Sequence, residues 1–133
     1  MLKKCLLLIL LVFLTYSNTV EAANWVNIGK GEAVLLYVDS DSIKDGLNGA
    51  KEAWFMYQHT PPDCASSYAK SLKKCVATYT NLEWLFKNKT YCRIGFAHYF
   101  TDGTNTGYSA TPCEIEKINP GTASEIKWKY IYR

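Results

Sequence analysis

Histidine is scarce in this 133-residue chain, which has only His59 and His98. No serine, cysteine and histidine fall into a local nucleophile motif and there is no nucleophile elbow, so catalysis would have to assemble from residues distant in sequence. The chain has no C-x-x-C-H sequence, which excludes covalent c-type haem attachment. It also lacks a strong charge of either sign. Fifteen Lys and Arg against 12 Asp and Glu leave +3, a balance that predicts no nucleic-acid or other polyanion partner. After Leu14 no second long apolar run occurs, so no membrane span is expected in the mature chain. Nothing repeats internally and no segment is of low complexity.

The N-terminus has the three-part plan of a secretory signal peptide. Lys3 and Lys4 precede the apolar run Cys5 to Leu14, and Val20-Glu21-Ala22-Ala23 offers small residues at a cut. Residues 1–22 therefore read as a cleaved signal peptide and 23–133 as one domain of an exported protein, periplasmic, secreted or on the outer surface. Loss of Lys3, Lys4 and Glu21 lowers Lys+Arg from 15 to 13 and Asp+Glu from 12 to 11, a net charge of +2. Cys5 leaves with the peptide.

Four cysteines then remain in an oxidising compartment, Cys64, Cys75, Cys92 and Cys113, with three possible pairings. The stretch Tyr91 to Cys113 narrows them. Asp102-Gly103 between alternating apolar residues signals a hairpin with a two-residue type I′ turn. Counted outward from that turn, Phe96 opposes Ser109, Ile94 opposes Thr111, and Cys92 opposes Cys113 at a non-hydrogen-bonded pair. There Cα atoms approach to about 4.5 Å, within disulfide range. A bulge at Gly107 or Pro112 would break the count. With Cys92–Cys113 formed, Cys64 pairs with Cys75. A zinc site from His59, Cys64 and Cys75 matches no standard finger spacing, and a disulfide is favoured.

Asn24 to Gly29 and Ala33 to Asp39 read as strands around a turn at Gly29-Lys30-Gly31, and Lys51 to Tyr57 as a third. Asp39-Ser40-Asp41-Ser42 is a polar turn that satisfies its own backbone, with Ile43 after it anchored in the core. A long connection, Gln58 to Lys74, follows. From Val76 the alternation resumes with Leu82, Trp84 and Phe86. Keeping that face continuous with Cys92, Ile94 and Phe96 sets Trp84 opposite Ile94 and Leu82 opposite Phe96, around the loop Asn88-Lys89-Thr90. These four residues, Leu82, Trp84, Ile94 and Phe96, are expected to be buried together. In the last segment Ile126, Trp128, Tyr130 and Tyr132 alternate with charges, which favours a strand; Thr122 or Ser124 as a cap, with Ala123, Ile126 and Tyr130 on one face, suits a helix.

The order of motifs, Trp25…Ile28-Gly29, Tyr37-Val38-Asp39…Asp41-Ser42-Ile43, Ala53-Trp54, Trp84-x-Phe86, Thr90-Tyr91-x-Arg93, Tyr99…Asp102-Gly103 and Ile118-x-Pro120-Gly121-Thr122…Glu125, resembles the bacterial surface-adhesin protein E-like family. The resemblance covers essentially the whole mature chain. It implies an α+β fold, an antiparallel sheet of about six strands built from hairpins and a meander, with a C-terminal helix packed on it. The resemblance thus favours the helix for the last segment. Family members commonly join sheet to helix through a cysteine just after the strand ending here in Phe86 and another at the chain's end. This chain has neither, so helix docking is expected to rest on apolar contacts of Ile126, Tyr130 and Ile131.

The resemblance also implies a non-catalytic exported binding protein, since some members are adhesins for host matrix proteins. The alternative is a small periplasmic enzyme or enzyme inhibitor. Lys70, Lys73, Lys74, Lys87, Lys89 and Arg93 are the candidate binding residues, a basic group suited to an acidic glycan or to an acidic host or envelope protein, or else a solvated edge that discourages aggregation. No cofactor, metal or catalytic residue is implied, and self-association is left open. His98, flanked by Phe96 and Phe100 on one strand face, reads as a structural imidazole.

Overall fold

The computed structural model describes residues 23–133; the signal peptide expected over residues 1–22 lies outside the described residues. The elements run β1 (Trp25–Gly31), β2 (Val34–Asp39), β3 (Lys44–Asp45), β4 (Lys51–Asp63), α1 (Ser67–Leu72), β5 (Val76–Phe86), β6 (Thr90–Phe100), β7 (Ser109–Ala110), β8 (Glu116–Lys117) and α2 (Ala123–Ile131). They form one antiparallel sheet in the order β1-β2-β4-β5-β6-β7, with β3 added to β4 and β8 to β6. This is the expected α+β architecture, C-terminal helix included.

Pleating sorts the side chains of the long central strands onto two faces. On one, Val38, Ala53, Phe55 and Leu85 are completely buried and take Val26, Ile28, Ile43 and Tyr91 around them; α2 closes this core with Trp128, Tyr130, Ile131 and Tyr132. Burial of side chains the size of Phe55 and Leu85 contributes about 1.5–3 kcal/mol each. A second, smaller core joins Ala69 of α1 to Val76 and Phe100 at the opposite end of the sheet. There the Cys64–Cys75 disulfide holds α1 against the start of β5, and Cys92–Cys113 ties β6 to the chain beyond β7. Both pairings are those the sequence implied, and the first removes the zinc reading.

The helix forms because Thr122 caps it, its Oγ1 accepting from the Glu125 N–H at 3.3 Å, while Glu125 in the first turn and Lys129 in the last complement the dipole. Its docking is not purely apolar. Trp128 Nε1 donates to the Phe86 carbonyl at 2.8 Å and the Tyr132 hydroxyl to the Leu85 carbonyl at 2.7 Å. These bonds span the place where the resemblance leads one to look for a disulfide.

Several local expectations are corrected. The first hairpin turns at Glu32-Ala33 rather than at the glycines, because Gly31 pairs with Val34 and Ala33 takes the positive φ. Strand β4 runs to Asp63, and α1 shortens the connection further. Phe86 pairs with Thr90, so the β5–β6 loop is Lys87-Asn88-Lys89, one residue earlier than expected. Trp84 opposes Cys92, Leu82 opposes Gly95, and Ile94 is the extra residue of a bulge between them. Leu82, Trp84, Ile94 and Phe96 are consequently half-buried and divided between faces, not buried together. The Asp102-Gly103 turn is a three-residue loop in which only Gly103 has positive φ, with Phe100 and Thr104 closing it. The one-residue difference from the type I′ count is restored by a bulge at Gly107 (φ 69°), so Phe96 still opposes Ser109.

Candidate functional site

A cavity of about 500 Å³ opens on the helix side of the sheet, beside the first turns of α2. Its floor and walls come from Tyr57 of β4, Asn81 and Glu83 of β5, Tyr91 and Arg93 of β6, and Ser124 and Lys127 of α2. The outer wall is the segment between β7 and β8. Partners on β7 and β6 sum to 205 (Phe96 with Ser109), whereas on β8 they sum to 207 (Tyr91 with Glu116), so two extra residues bow outward after Cys113. Thr111, Pro112 and Glu114 of this stretch, with Glu116 at the start of β8, line the cavity. The Cys92–Cys113 disulfide pins the bow, and residues on both sides of it in sequence, Arg93, Pro112 and Glu114, belong to the lining.

The floor holds a buried ion pair. Lys127 and Glu83 side chains are 2% and 1% exposed, and Nζ donates to both carboxylate oxygens at 2.8 and 2.6 Å and to the Tyr57 hydroxyl at 2.7 Å. The ammonium is therefore held between one carboxylate, through both its oxygens, and one hydroxyl. The rings of Phe55, Tyr57 and Tyr91 stand 5.1, 5.3 and 5.6 Å from the same nitrogen, a distance at which aromatic faces attract a cation. Burial, with Glu83 nearby, pushes the Tyr57 hydroxyl far above the usual phenol range, so it keeps its proton at neutral pH. Burial raises Tyr91 as well, and its hydroxyl donates to Glu116 Oε2 at 2.8 Å. Asn81 Oδ1 is buried without a partner. By contrast Glu114 and Arg93 are exposed and make no salt bridge among the described residues; the Arg93 guanidinium lies 4.7 Å over Phe96.

Of the basic residues singled out in the sequence, only Arg93 lines this cavity. Lys70 lies on α1, and Lys73 ends it in the left-handed conformation. Lys74 is paired with Asp102 at 3.2 Å and bonded to Thr104 at 2.8 Å. Lys87 and Lys89 occupy the opposite end of β5, ten residue steps or about 33 Å away. The Lys89 ammonium lies 5.2 Å over Trp128. The lysines are two separate rims, not one patch. His98 is packed among Tyr68, Phe96 and Tyr79 at ring distances of 4.8, 5.6 and 5.9 Å, and burial, then Arg93 and His59, lower its basicity.

The sheet face away from α2 carries a shallower groove of about 320 Å³, lined by Trp25, Trp54, Tyr99 and Tyr108 among others. Trp54 and Tyr108 meet edge to face at 5.8 Å. Tyr108 can lie there because residue 95 is glycine: a Cβ would stand 2.2 Å from its ring.

Sequence reasoning missed Tyr57, Asn81, Glu83, Tyr91 and Lys127. In the sequence Glu83 and Lys127 take the polar places of an apolar alternation and so read as solvent-facing, and the separation of 44 residues hid their pairing. No family model, curated protein or solved structure matches this chain.

Proposed function

We propose that the protein is an exported, non-catalytic binding protein of the bacterial envelope and that the cavity beside α2 holds its ligand. The observation carrying this reading is the cavity floor. A fully buried lysine–glutamate pair is a poor way to stabilise a core, because desolvation offsets most of the attraction. Polar groups fixed at the bottom of a cavity of this size are what a small-ligand site requires. Its charges neutralise each other and Tyr57 keeps its proton, so the floor suits holding rather than proton transfer. Two disulfides fit an oxidising compartment outside the cytoplasm, and the resemblance to surface adhesins agrees in kind. An acidic glycan is a poor match here, because three carboxylates (Glu83, Glu114, Glu116) line the cavity against two cations (Arg93, Lys127).

The test is a thermal-shift screen of the oxidised chain 23–133 against amino acids, short peptides and sugars, beside a pull-down from envelope and host-matrix extracts. Stabilisation by one class, weakened by Arg93→Ala or Glu114→Ala, is expected. A screen without any shift, together with a pull-down indifferent to both substitutions, refutes the cavity as the binding site.

A further inference from the structure

Resting on that binding reading, we infer that the cavity selects a small zwitterion, an amino acid or short peptide presenting both a primary ammonium and a carboxylate. The floor has no net charge to offer, since the Lys127 ammonium is neutralised by Glu83 and bonded to Tyr57. The charges left for a ligand are those of the rim and are of both signs. Arg93 lies on β6 with no carboxylate partner among the described residues. Among the described residues Glu114 has no partner either, and Glu116 has only the Tyr91 hydroxyl, on Oε2. A ligand with one sign of charge would satisfy one wall and face like charge on the other. A zwitterion lays its carboxylate toward Arg93 and its ammonium toward Glu114 and Glu116, making charge-assisted bonds at both ends.

Asn81 supplies a neutral point of contact. Its carboxamide lines the cavity while Oδ1 is buried without a partner, a standing penalty that points to a role for the side chain on this wall. By a flip about χ2 it can present either its oxygen or its NH₂, as a peptide bond or an amino-acid backbone requires. Tyr57 and Ser124 add hydroxyls, and Pro112 closes the rim with an apolar surface.

The experiment is an NMR titration of the ¹⁵N-labelled, oxidised chain 23–133 with glycylglycine, glycine, ethylammonium, acetate, N-acetylglycine methylamide and glucose. Glycylglycine or glycine should shift amides around Asn81, Arg93 and Glu114, binding roughly tenfold or more tightly than ethylammonium or acetate. Whichever of the two binds tighter distinguishes a peptide from a free amino acid. Glu114→Gln should lower zwitterion affinity without weakening acetate, and Arg93→Gln should lower it without weakening ethylammonium. Both residues are exposed, so the variants keep the fold, which an unchanged Tm verifies. N-acetylglycine methylamide binding as tightly as glycylglycine overturns the inference, as does indifference to both substitutions. A neutral sugar that shifts these amides where zwitterions do not overturns the selectivity and keeps the binding site. Absence of shifts at the cavity with every probe overturns both.

Discussion

Replacing Lys127 by Met tests whether the buried pair holds the helix to the sheet. In the native protein Nζ is bonded to Glu83 at 2.6 and 2.8 Å and to Tyr57 at 2.7 Å, with both charged side chains out of contact with water. Methionine leaves the Glu83 carboxylate buried and unpartnered, which costs about 3–5 kcal/mol. A domain of this size has only about 5–15 kcal/mol in total, so Lys127→Met should stand near the edge of folding. Glu83→Leu alone strands the ammonium and should cost a similar amount. The double variant strands neither charge and loses only the bond to Tyr57, about 1 kcal/mol. It should return to within about 1 kcal/mol of the native protein or exceed it. Urea denaturation of the oxidised chain, followed by tryptophan fluorescence, measures all four corners of the cycle, with unchanged m-values confirming a common unfolding transition. A Lys127→Met protein as stable as the native one, or a double variant no better than the singles, would refute the reasoning.

Gly95→Ala should displace the Tyr108 ring from β6 and destabilise the protein by about 1–3 kcal/mol, seen as a lower Tm and altered Trp54 emission. Hydrogen bonds from the Thr104 side chain and backbone, and then Lys74, hold the Asp102 carboxyl down at about 2. The folded value lies below the unfolded one, so this stabilisation is present above about pH 4 and lost as pH falls toward 2. Amide exchange at Thr104 should accelerate across that window and lose the dependence in Asp102→Asn; titration of Asp102 near 4 would contradict it. Removing the second disulfide by Cys92→Ala with Cys113→Ala should cost about 2–4 kcal/mol and broaden the amide signals of Thr111 to Glu116. Non-reducing peptide mapping that joins Cys75 to Cys92 would contradict both bridges.

The architecture was legible where local chemistry decided it. Asp102-Gly103, with the cysteines placed symmetrically beyond it, marks the hairpin and its staple, although Gly103 and Gly107 share between two irregularities what the type I′ count gave to one turn. The register of β5 on β6 was misread because the core was taken to follow Leu82 and Trp84. In fact Glu83 and Leu85 face the helix, and a glutamate at an inward position cannot be recognised until its lysine, 44 residues away, is brought beside it. The helix–strand ambiguity of the last segment has the same origin: Lys127 reads as a solvent-facing charge in an alternating strand, yet it is the deepest residue of α2. The cavity wall was invisible for another reason. It arises from a two-residue slip between two very short strands, which no periodicity records.

The position of the Cys92–Cys113 bond ties the spacing of two opposite charges to the redox state of the chain. Arg93 and Glu114, the unpaired charges of opposite sign, each directly follow one of its two cysteines in the chain. Before oxidation the bowed segment carrying Glu114 has only the short β7 and β8 pairings to hold it beside Arg93. With the two cysteines reduced, the two halves of the rim would thus lack a fixed spacing. Once the bond forms, the two residues are held as a matched pair, so in the proposed binding site the spacing of the charged rim would depend on oxidation.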